Sequence, residues 1–152
     1  MVFWIFFERG LRGLRGFDGL TRINIRFMMI HEDLTREIIK IFYGVYNELG
    51  YGFLERVYQN AMFIELKNNG FDIEVQKKIQ VFYKEHEVGW YIADIMVNNC
   101  VILELKAQDT LVKANESQLI NYLKATECEV GLLLNFGKKP ELIRKVYQNN
   151  FK

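Results

Sequence analysis

Two short apolar runs constrain the fold of this chain more than any other feature of its sequence. They are VILELKA at residues 101–107 and VGLLLNF at residues 130–136. Near-continuous apolar runs of this length are typical of strands at the centre of a sheet that is covered on both faces. The first run contains Glu104 and Lys106, and burial of an ion pair is costly unless the charges are paired or bound to a metal. The presence of these two charged residues in a buried strand therefore needs an explanation.

The neighbouring strand supplies a third polar residue. Side chains alternate along a strand, so Glu104 and Lys106 point to the same side. Asp94 interrupts the run WYIADIMV at residues 90–97, and the turn at residues 98–99 makes the two strands adjacent and antiparallel. Counting back from the turn places Asp94 level with Leu103 or Glu104. Two close carboxylates repel each other, so a hard divalent cation such as Mg²⁺ or Mn²⁺ is the natural occupant of this position.

The spacing of apolar residues predicts the remaining elements. We expect a helix at 34–49 with Asp33 as its N-cap, a helix at 54–69, a three-stranded meander over 73–105, a helix at 114–125, a strand at 130–136 and a last helix from Pro140 to about Tyr147. The order is α-α-β-β-β-α-β-α. The chain is therefore predicted to have a mixed α/β (α+β) fold, with a central mixed sheet of about four strands flanked by helices.

The N-terminal segment differs from the rest of the chain. Residues 1–28 contain five of the arginines, and glycines recur there at a period of three. We interpret 1–28 as a poorly ordered extension and hypothesise that the native protein begins at the tandem methionines 28–29. Residues 29–152 are expected to form one domain, because a chain of 152 residues that is 50% hydrophobic can enclose one sizeable core.

Charge and cysteine content exclude several classes of function. The formal net charge is +1, so no broad basic surface for nucleic acid is expected and any phosphate site must be local. The two cysteines, Cys100 and Cys128, are far apart in the sequence, so neither a zinc site nor a disulfide framework is predicted. A reducing, cytoplasmic location follows by default. The longest N-terminal apolar run, residues 2–7, is too short to span a membrane.

Three motifs resemble those of a known group of proteins. Asp94 followed by Glu104-Leu105-Lys106 resembles the D…(D/E)xK signature of the PD-(D/E)XK nuclease superfamily, whose restriction-endonuclease-like core has the order αβββαβ. The segment GFLERVY at 52–58 resembles GxxExxY, the motif of a family of small proteins in that superfamily, and QLINYLKA at 118–125 resembles the QxxxY element of its RecB-like branch. The resemblance extends from about residue 34 to residue 147. It departs at Ile92 and Asn115, where the family pattern has Arg and His.

The resemblance implies a metal-dependent nuclease that acts on DNA or RNA. Asp94 and Glu104 would bind Mg²⁺ or Mn²⁺, with Glu55 as a further ligand directly or through water. The metal would activate a water molecule, and Lys106 would orient that water or help to deprotonate it. Gln118 would hydrogen-bond the water or the substrate.

Three further residues are candidates for substrate binding. Tyr122 lies one helical turn after Gln118, on the same face of the predicted helix. Tyr122 and Tyr58 are equally consistent with core aromatics and with substrate contacts. Lys124 belongs to a set of lysines that either contact phosphates or only solvate the surface.

Two other classes of function remain open at this point. One is a non-catalytic module that keeps the nuclease fold and binds nucleic acid or protein. The other is a small regulatory protein that acts through its surface, for example as a homodimer through exposed helices. A nuclease of this size with no recognition module is expected to have weak sequence preference or to depend on a partner protein for targeting.

Overall fold

The computed structural model describes residues 30–149. Within this range the elements are α1 (Glu32–Leu49), α2 (Glu55–Asn68), β1 (Ile73–Tyr83), β2 (His86–Val97), β3 (Val101–Lys106), α3 (Lys113–Lys124), β4 (Val130–Phe136) and β5 (Pro140–Val146). The predicted N-terminal extension at 1–28 lies outside the described residues. None of the described helices is both long enough and apolar enough to cross a membrane.

The five strands form one mixed sheet in the order β1-β2-β3-β4-β5. Strands β3 and β4 are parallel and are connected through α3, whereas every other neighbouring pair is antiparallel. The apolar runs at 101–107 and 130–136 contain β3 and β4. Strand β3 is the central strand of the sheet, and β4 lies next to it. The predicted mixed α/β fold with helices flanking a sheet is confirmed.

The centre of the sheet, at β3 and β4, is buried on both faces, which explains the continuous apolar runs. On one face, α1 and α2 pack on side chains of β3 and β4, with Ile38, Phe42, Tyr58, Met62, Leu103 and Leu132 at 0% exposure. On the other face, Leu119 and Leu123 of α3 pack against Ile102 and Leu133. All seven residues of β4 are buried, which explains why apolar and polar residues do not alternate along this strand.

The last element is a strand and not the predicted helix. Pro140–Val146 pairs antiparallel with β4 along its whole length, from Phe136↔Pro140 to Val130↔Val146. Its side chains alternate between the two cores, because Leu142 packs on the α1–α2 side whereas Ile143 packs on the α3 side. Proline at the first position is compatible with the start of an edge strand as well as with a helix. The apolar residues of PELIRKV do not alternate regularly, so the local pattern does not distinguish this strand from a helix.

The helix boundaries differ from prediction by one or two residues. Helix α1 begins at Glu32 after His31, which has a φ of 53°, so the predicted N-cap Asp33 lies inside the first turn, 3.5 Å from Arg36. Helix α1 ends as predicted at Gly50, whose φ of 69° is the left-handed conformation that glycine adopts without strain. Helix α2 starts at Glu55, which places this carboxylate at a helix N-terminus.

Candidate active site

The centre of the candidate site is the point where the β2–β3 ladder ends. The last paired residues are Ile95 and Leu103, and one further step would set Asp94 opposite Glu104. The ladder does not continue, because Asp94 Oδ2 accepts a hydrogen bond of 2.8 Å from the backbone N–H of Leu105. Asp94 and Glu104 therefore lie side by side where the two strands separate, as the hairpin count predicted.

Glu104 and Lys106 form a nearly buried ion pair on β3. Lys106 Nζ lies 2.6 Å from Glu104 Oε1, and the two side chains are 11% and 3% exposed. The second carboxylate oxygen, Glu104 Oε2, is buried and has no hydrogen-bond partner within the described residues. Buried carboxylate oxygens are normally satisfied, so this orphaned acceptor is the most unusual polar atom of the site.

Glu55 brings a third carboxylate toward this pair from the start of α2. Burial raises the pKa of Glu55, and the nearby charges of Lys106 and Asp94 act on it in opposite directions. The same burial raises the pKa of Asp94, against the hydrogen bond from Leu105 and the charge of Lys106. Three carboxylates and one ammonium group thus share one electrostatic environment.

Helix α3 contributes the residues of the predicted QxxxY element. Gln118 Nε2 donates a 2.5 Å hydrogen bond to the hydroxyl of Tyr122, which donates in turn to the carbonyl of Ile92 at 3.1 Å. Tyr122 is 2% exposed, and burial together with the charge of Glu104 raises the pKa of its hydroxyl to about 12. Tyr122 therefore stays neutral beside the carboxylates, and Gln118 is held on the same side of the sheet.

Two predicted substrate contacts lie in other surroundings. Tyr58 is 0% exposed, stacks on Phe136 with ring centroids 4.2 Å apart, and donates to the carbonyl of Gly50 at 2.8 Å. This is a core position that also anchors the loop between α1 and α2. Lys124 is exposed at the end of α3 with its ammonium 5.7 Å from the ring of Tyr147.

A family model of the PD-(D/E)XK nuclease superfamily matches residues 32–146, which is well over half of the chain. The chain belongs to the PD-(D/E)XK nuclease superfamily. Comparisons with curated proteins and with solved structures gave no match. The matched range extends from α1 to β5 and includes every candidate residue named above. The five-stranded sheet flanked by helices is consistent with the restriction-endonuclease-like fold of this superfamily.

The signature acid of this PD-(D/E)XK protein has an unusual protonation equilibrium. Burial and, to a smaller extent, the neighbouring Asp94 charge raise the pKa of Glu104 to about 7, because the hydrogen bond from Lys106 only partly opposes these two effects. For Lys106, burial favours the neutral amine, but the hydrogen bond to Glu104 and the carboxylate charges outweigh burial and raise its pKa. At neutral pH, Lys106 is therefore an ammonium group beside a carboxylate that is close to its titration midpoint.

PD-(D/E)XK nucleases generally use divalent metals. No group of three or more His, Cys, Asp or Glu close enough to hold a metal occurs in the described part of the chain. Asp94 and the orphaned Glu104 Oε2 nevertheless form an all-oxygen donor set, which suits a hard cation. Magnesium is commonly bound through one or two carboxylates with water and substrate phosphate completing its shell. The residues therefore fit such a cation.

The backbone and side chain of Asp94 are held by two glutamines that sequence reasoning missed. Gln59 Nε2 of α2 donates to the Asp94 carbonyl at 3.1 Å, and Gln76 Nε2 of β1 lies 3.5 Å from Asp94 Oδ1. Neither residue interrupts an apolar run, so nothing in the pattern of the chain distinguished them.

Asn135 was also missed, although its signal resembles that of Glu104. It is a polar residue inside the run VGLLLNF, it is 0% exposed, and it lies beside Lys106 in the β3–β4 register. Its side-chain oxygen accepts from the N–H of Gln108 at 3.0 Å, and its amide donates to the Gln108 carbonyl at 2.9 Å. Asn135 thus fixes the loop that leaves the site after Lys106.

The two departures from the family pattern have structural roles. Asn115 accepts a 3.0 Å hydrogen bond from the N–H of Val112 and so caps the start of α3. Ile92 offers its carbonyl, and not its side chain, to Tyr122. Neither side chain contributes a charged group to the site.

Proposed function

We propose that this chain is a divalent-metal-dependent nuclease of the GxxExxY family that hydrolyses phosphodiester bonds in DNA or RNA. The observation that carries the proposal is the orphaned Glu104 Oε2, buried next to Asp94 and Lys106 in the superfamily signature. A purely structural ion pair gains most when both carboxylate oxygens are satisfied, because burial of unpaired acceptors is costly. An oxygen left free in such a place is explained by a ligand.

Asp94, Glu104 and Glu55 are the proposed ligands of Mg²⁺ or Mn²⁺, with Glu55 binding directly or through water. Glu104 Oε2 has no partner among the described residues, and Asp94 Oδ1 has only a long contact of 3.5 Å with Gln76 Nε2. When bound, the cation supplies an acidified water molecule and positive charge against the scissile phosphate. Glu55 approaches the same site from the N-terminus of α2, whereas Asp94 and Glu104 belong to strands β2 and β3.

Lys106 and Gln118 are proposed to act on the water and the phosphate. The raised pKa of Lys106 keeps it protonated, so it can donate to the attacking water or to a phosphate oxygen and offset negative charge in the transition state. A compact ammonium group is suited to this role. Gln118 has a second amide hydrogen and a carbonyl beyond its bond to Tyr122, and these groups are available to water or substrate.

Substrate binding is proposed to involve few residues. Tyr122 is the aromatic group of α3 nearest to the carboxylates, and Lys124 follows it with an exposed ammonium group. Tyr58 is left out of this set because it stacks on Phe136 within the core on the α1–α2 side. The protein is proposed to act in the cytoplasm as one domain at 29–152. Because few residues contact the substrate, we expect weak sequence preference or dependence on a partner protein for targeting.

The proposal is tested by cleavage of labelled single- and double-stranded DNA and RNA with Mg²⁺ or Mn²⁺, using the full chain. Asp94→Ala and Lys106→Ala are expected to abolish metal-dependent cleavage. Lys40→Ala is the matched control, because Lys40 forms an exposed 2.6 Å ion pair with Glu37 on α1. Circular dichroism is the control that checks whether each variant is folded.

Two results would contradict the proposal in different ways. Nucleic-acid binding without cleavage by the wild-type protein would favour a non-catalytic module with a nuclease fold. Absence of cleavage together with absence of Mn²⁺ binding would favour a regulatory protein that acts through its surface.

A further inference from the structure

The backbone of β1 is strained at one residue. Gln76 lies inside the strand with a φ of 52°, a conformation that residues other than glycine, asparagine and aspartate rarely adopt. Strand pairing continues on both sides of it, from Val75↔Ile95 to Lys77↔Ala93. The strain is therefore held in place by regular structure, which is the situation in which backbone outliers mark functional sites.

The strain coincides with a reversal of side-chain direction in β2. Residues two apart on a regular strand point to the same face. Ala93, however, belongs to the core on the α3 side, whereas Ile95 belongs to the core on the α1–α2 side. Asp94 lies at the reversal, directly across from Gln76, and its side chain reaches β3 to accept from Leu105.

The carboxylate of Asp94 is held on both oxygens. Oδ2 accepts from the N–H of Leu105 at 2.8 Å, and Oδ1 faces Gln76 Nε2 at 3.5 Å. The Asp94 carbonyl accepts from Gln59 at 3.1 Å, which fixes the backbone on the third side. The strained residue is thus the one that supplies the donor to the oxygen not used by β3.

We propose that Gln76 is a positioning residue, whose strained backbone and side-chain amide together orient the Asp94 carboxylate toward Glu104. This inference rests on the proposed function, in which Asp94 binds a metal. Partners of this kind that hold a metal ligand in place set the affinity of the site. The strain at Gln76 is stored because relaxing φ would remove the amide from Asp94 and return β2 to regular alternation.

The proposal is tested first without any metal, by hydrogen exchange of the Leu105 amide measured by NMR. Gln76→Met keeps the length and the backbone strain but removes the donor. Gln76→Gly removes the donor and fits the positive φ, so it remains informative if the methionine variant does not fold. Exchange at Leu105 is expected to be at least about fivefold faster in both variants, because Asp94 is freed to rotate away.

Gln80→Met is the matched control, because Gln80 lies on the same strand and donates to Glu87 at 2.7 Å, remote from Asp94 in the register. It is expected to leave exchange at Leu105 unchanged. Wild-type exchange at Leu105 in both Gln76 variants would overturn the role of Gln76.

The second readout is Mn²⁺ affinity measured by calorimetry without substrate. Loss of an outer partner of a metal ligand is expected to weaken binding about tenfold in Gln76→Met, with no change in Gln80→Met. Equal affinity in wild type and Gln76→Met would overturn the inference alone. Absence of Mn²⁺ binding by the wild type would instead overturn the proposed function, so the two failures are distinguishable.

Discussion

Glu104 is buried where a carboxylate is least stable as an anion. Its side chain is 3% exposed, Asp94 is beside it, and only one of its oxygens has a partner. These conditions raise its pKa to about 7, chiefly through burial. The same conditions favour a cation, because a cation replaces both the lost hydration and the missing partner.

The raised pKa of Glu104 predicts that the metal-free fold loses stability as pH rises. The native state binds a proton on Glu104 up to about pH 7, whereas the unfolded state releases it near its ordinary value of 4.5. The free energy of unfolding therefore falls between these values, by at most about 3 kcal/mol. Urea unfolding from pH 5 to 8 measures this fall, and Glu104→Gln is expected to remove most of it. A slope in Glu104→Gln equal to that of the exposed control Glu37→Gln and of the wild type would contradict the assignment.

Removal of Lys106 is expected to lower the free energy of unfolding, because the buried Glu104 carboxylate is then left without its charged partner. Lys106→Met leaves Glu104 buried without its 2.6 Å partner. We expect a loss of about 3 kcal/mol in unfolding free energy at pH 8 and a smaller loss at pH 5, where Glu104 is protonated. The double variant Glu104→Leu with Lys106→Met is expected to recover most of this stability, because it buries no charge.

Lys138→Met is the control for this series, since Lys138 is 68% exposed and 4.0 Å from Asp109. Its effect on urea unfolding is expected to be within about 0.5 kcal/mol. A double variant less stable than Lys106→Met alone would show that the ion pair stabilises the fold and is not retained for function.

At the scale of single residues, the sequence predicts that Asp94, Glu104 and Lys106 lie close together, but it does not predict which residues hold them in place. Asp94, Glu104 and Lys106 were predicted because each breaks an apolar run and a short turn fixes their register. Gln76 was not, because its importance comes from a φ of 52° that a glycine, but not a glutamine, would have signalled. Roles that depend on backbone strain have no pattern in the side-chain sequence.

At the scale of elements, every described helix and strand was predicted except β5. A seven-residue segment that starts with proline fits about two turns of helix or one edge strand, and the choice depends on whether a partner strand is available. That partner is β4, whose free edge the sequence does not show. The turn between them is therefore the part of the fold that local patterns determined least.

Gly137 in this turn predicts a steric limit on the β4–β5 connection. A Cβ at this position would lie 2.1 Å from the carbonyl oxygen of Gln108, in the loop that follows Lys106. Gly137→Ala is therefore expected to lower the unfolding free energy by about 2–3 kcal/mol, because backbone must move. Gly44→Ala is the matched control: Gly44 lies in α1 with nothing within 4 Å of a Cβ, so alanine is expected to add about 1 kcal/mol.

Urea unfolding of both glycine variants checks this pair of expectations. The two substitutions are chemically identical and should change stability in opposite directions. A stabilisation of similar size in both would contradict this expectation, because it would show that crowding at Gln108 is relieved without cost.

At the scale of the whole molecule, the candidate site is assembled from parts of the chain that are distant in sequence. Glu55 comes from the start of α2, Asp94 and Glu104 come from the fork between β2 and β3, and Gln118 comes from α3. Unfolding separates all of these groups, so a ligand that binds them together must stabilise the entire fold.

Metal binding is accordingly expected to appear as a concentration-dependent rise in melting temperature. Mn²⁺ at about 100 times its dissociation constant adds about 2.7 kcal/mol, which corresponds to a rise of roughly 10 °C for a domain of this size. Protons compete with the metal for Glu104, whose pKa is about 7. The rise should therefore be larger at pH 8 than at pH 6, where about tenfold more Mn²⁺ is needed for the same effect.

Glu104→Gln and Glu37→Gln distinguish this site from adventitious binding. Both variants lose one carboxylate, but Glu37 is exposed on α1 and forms only a surface ion pair with Lys40. The Mn²⁺-dependent rise should be lost in Glu104→Gln and kept in Glu37→Gln. A rise that persists in Glu104→Gln would place the metal away from the orphaned oxygen of Glu104. A rise that is the same at pH 6 and pH 8 would lead to the same conclusion, because metal affinity depends on pH in this range only when a ligand titrates near neutrality.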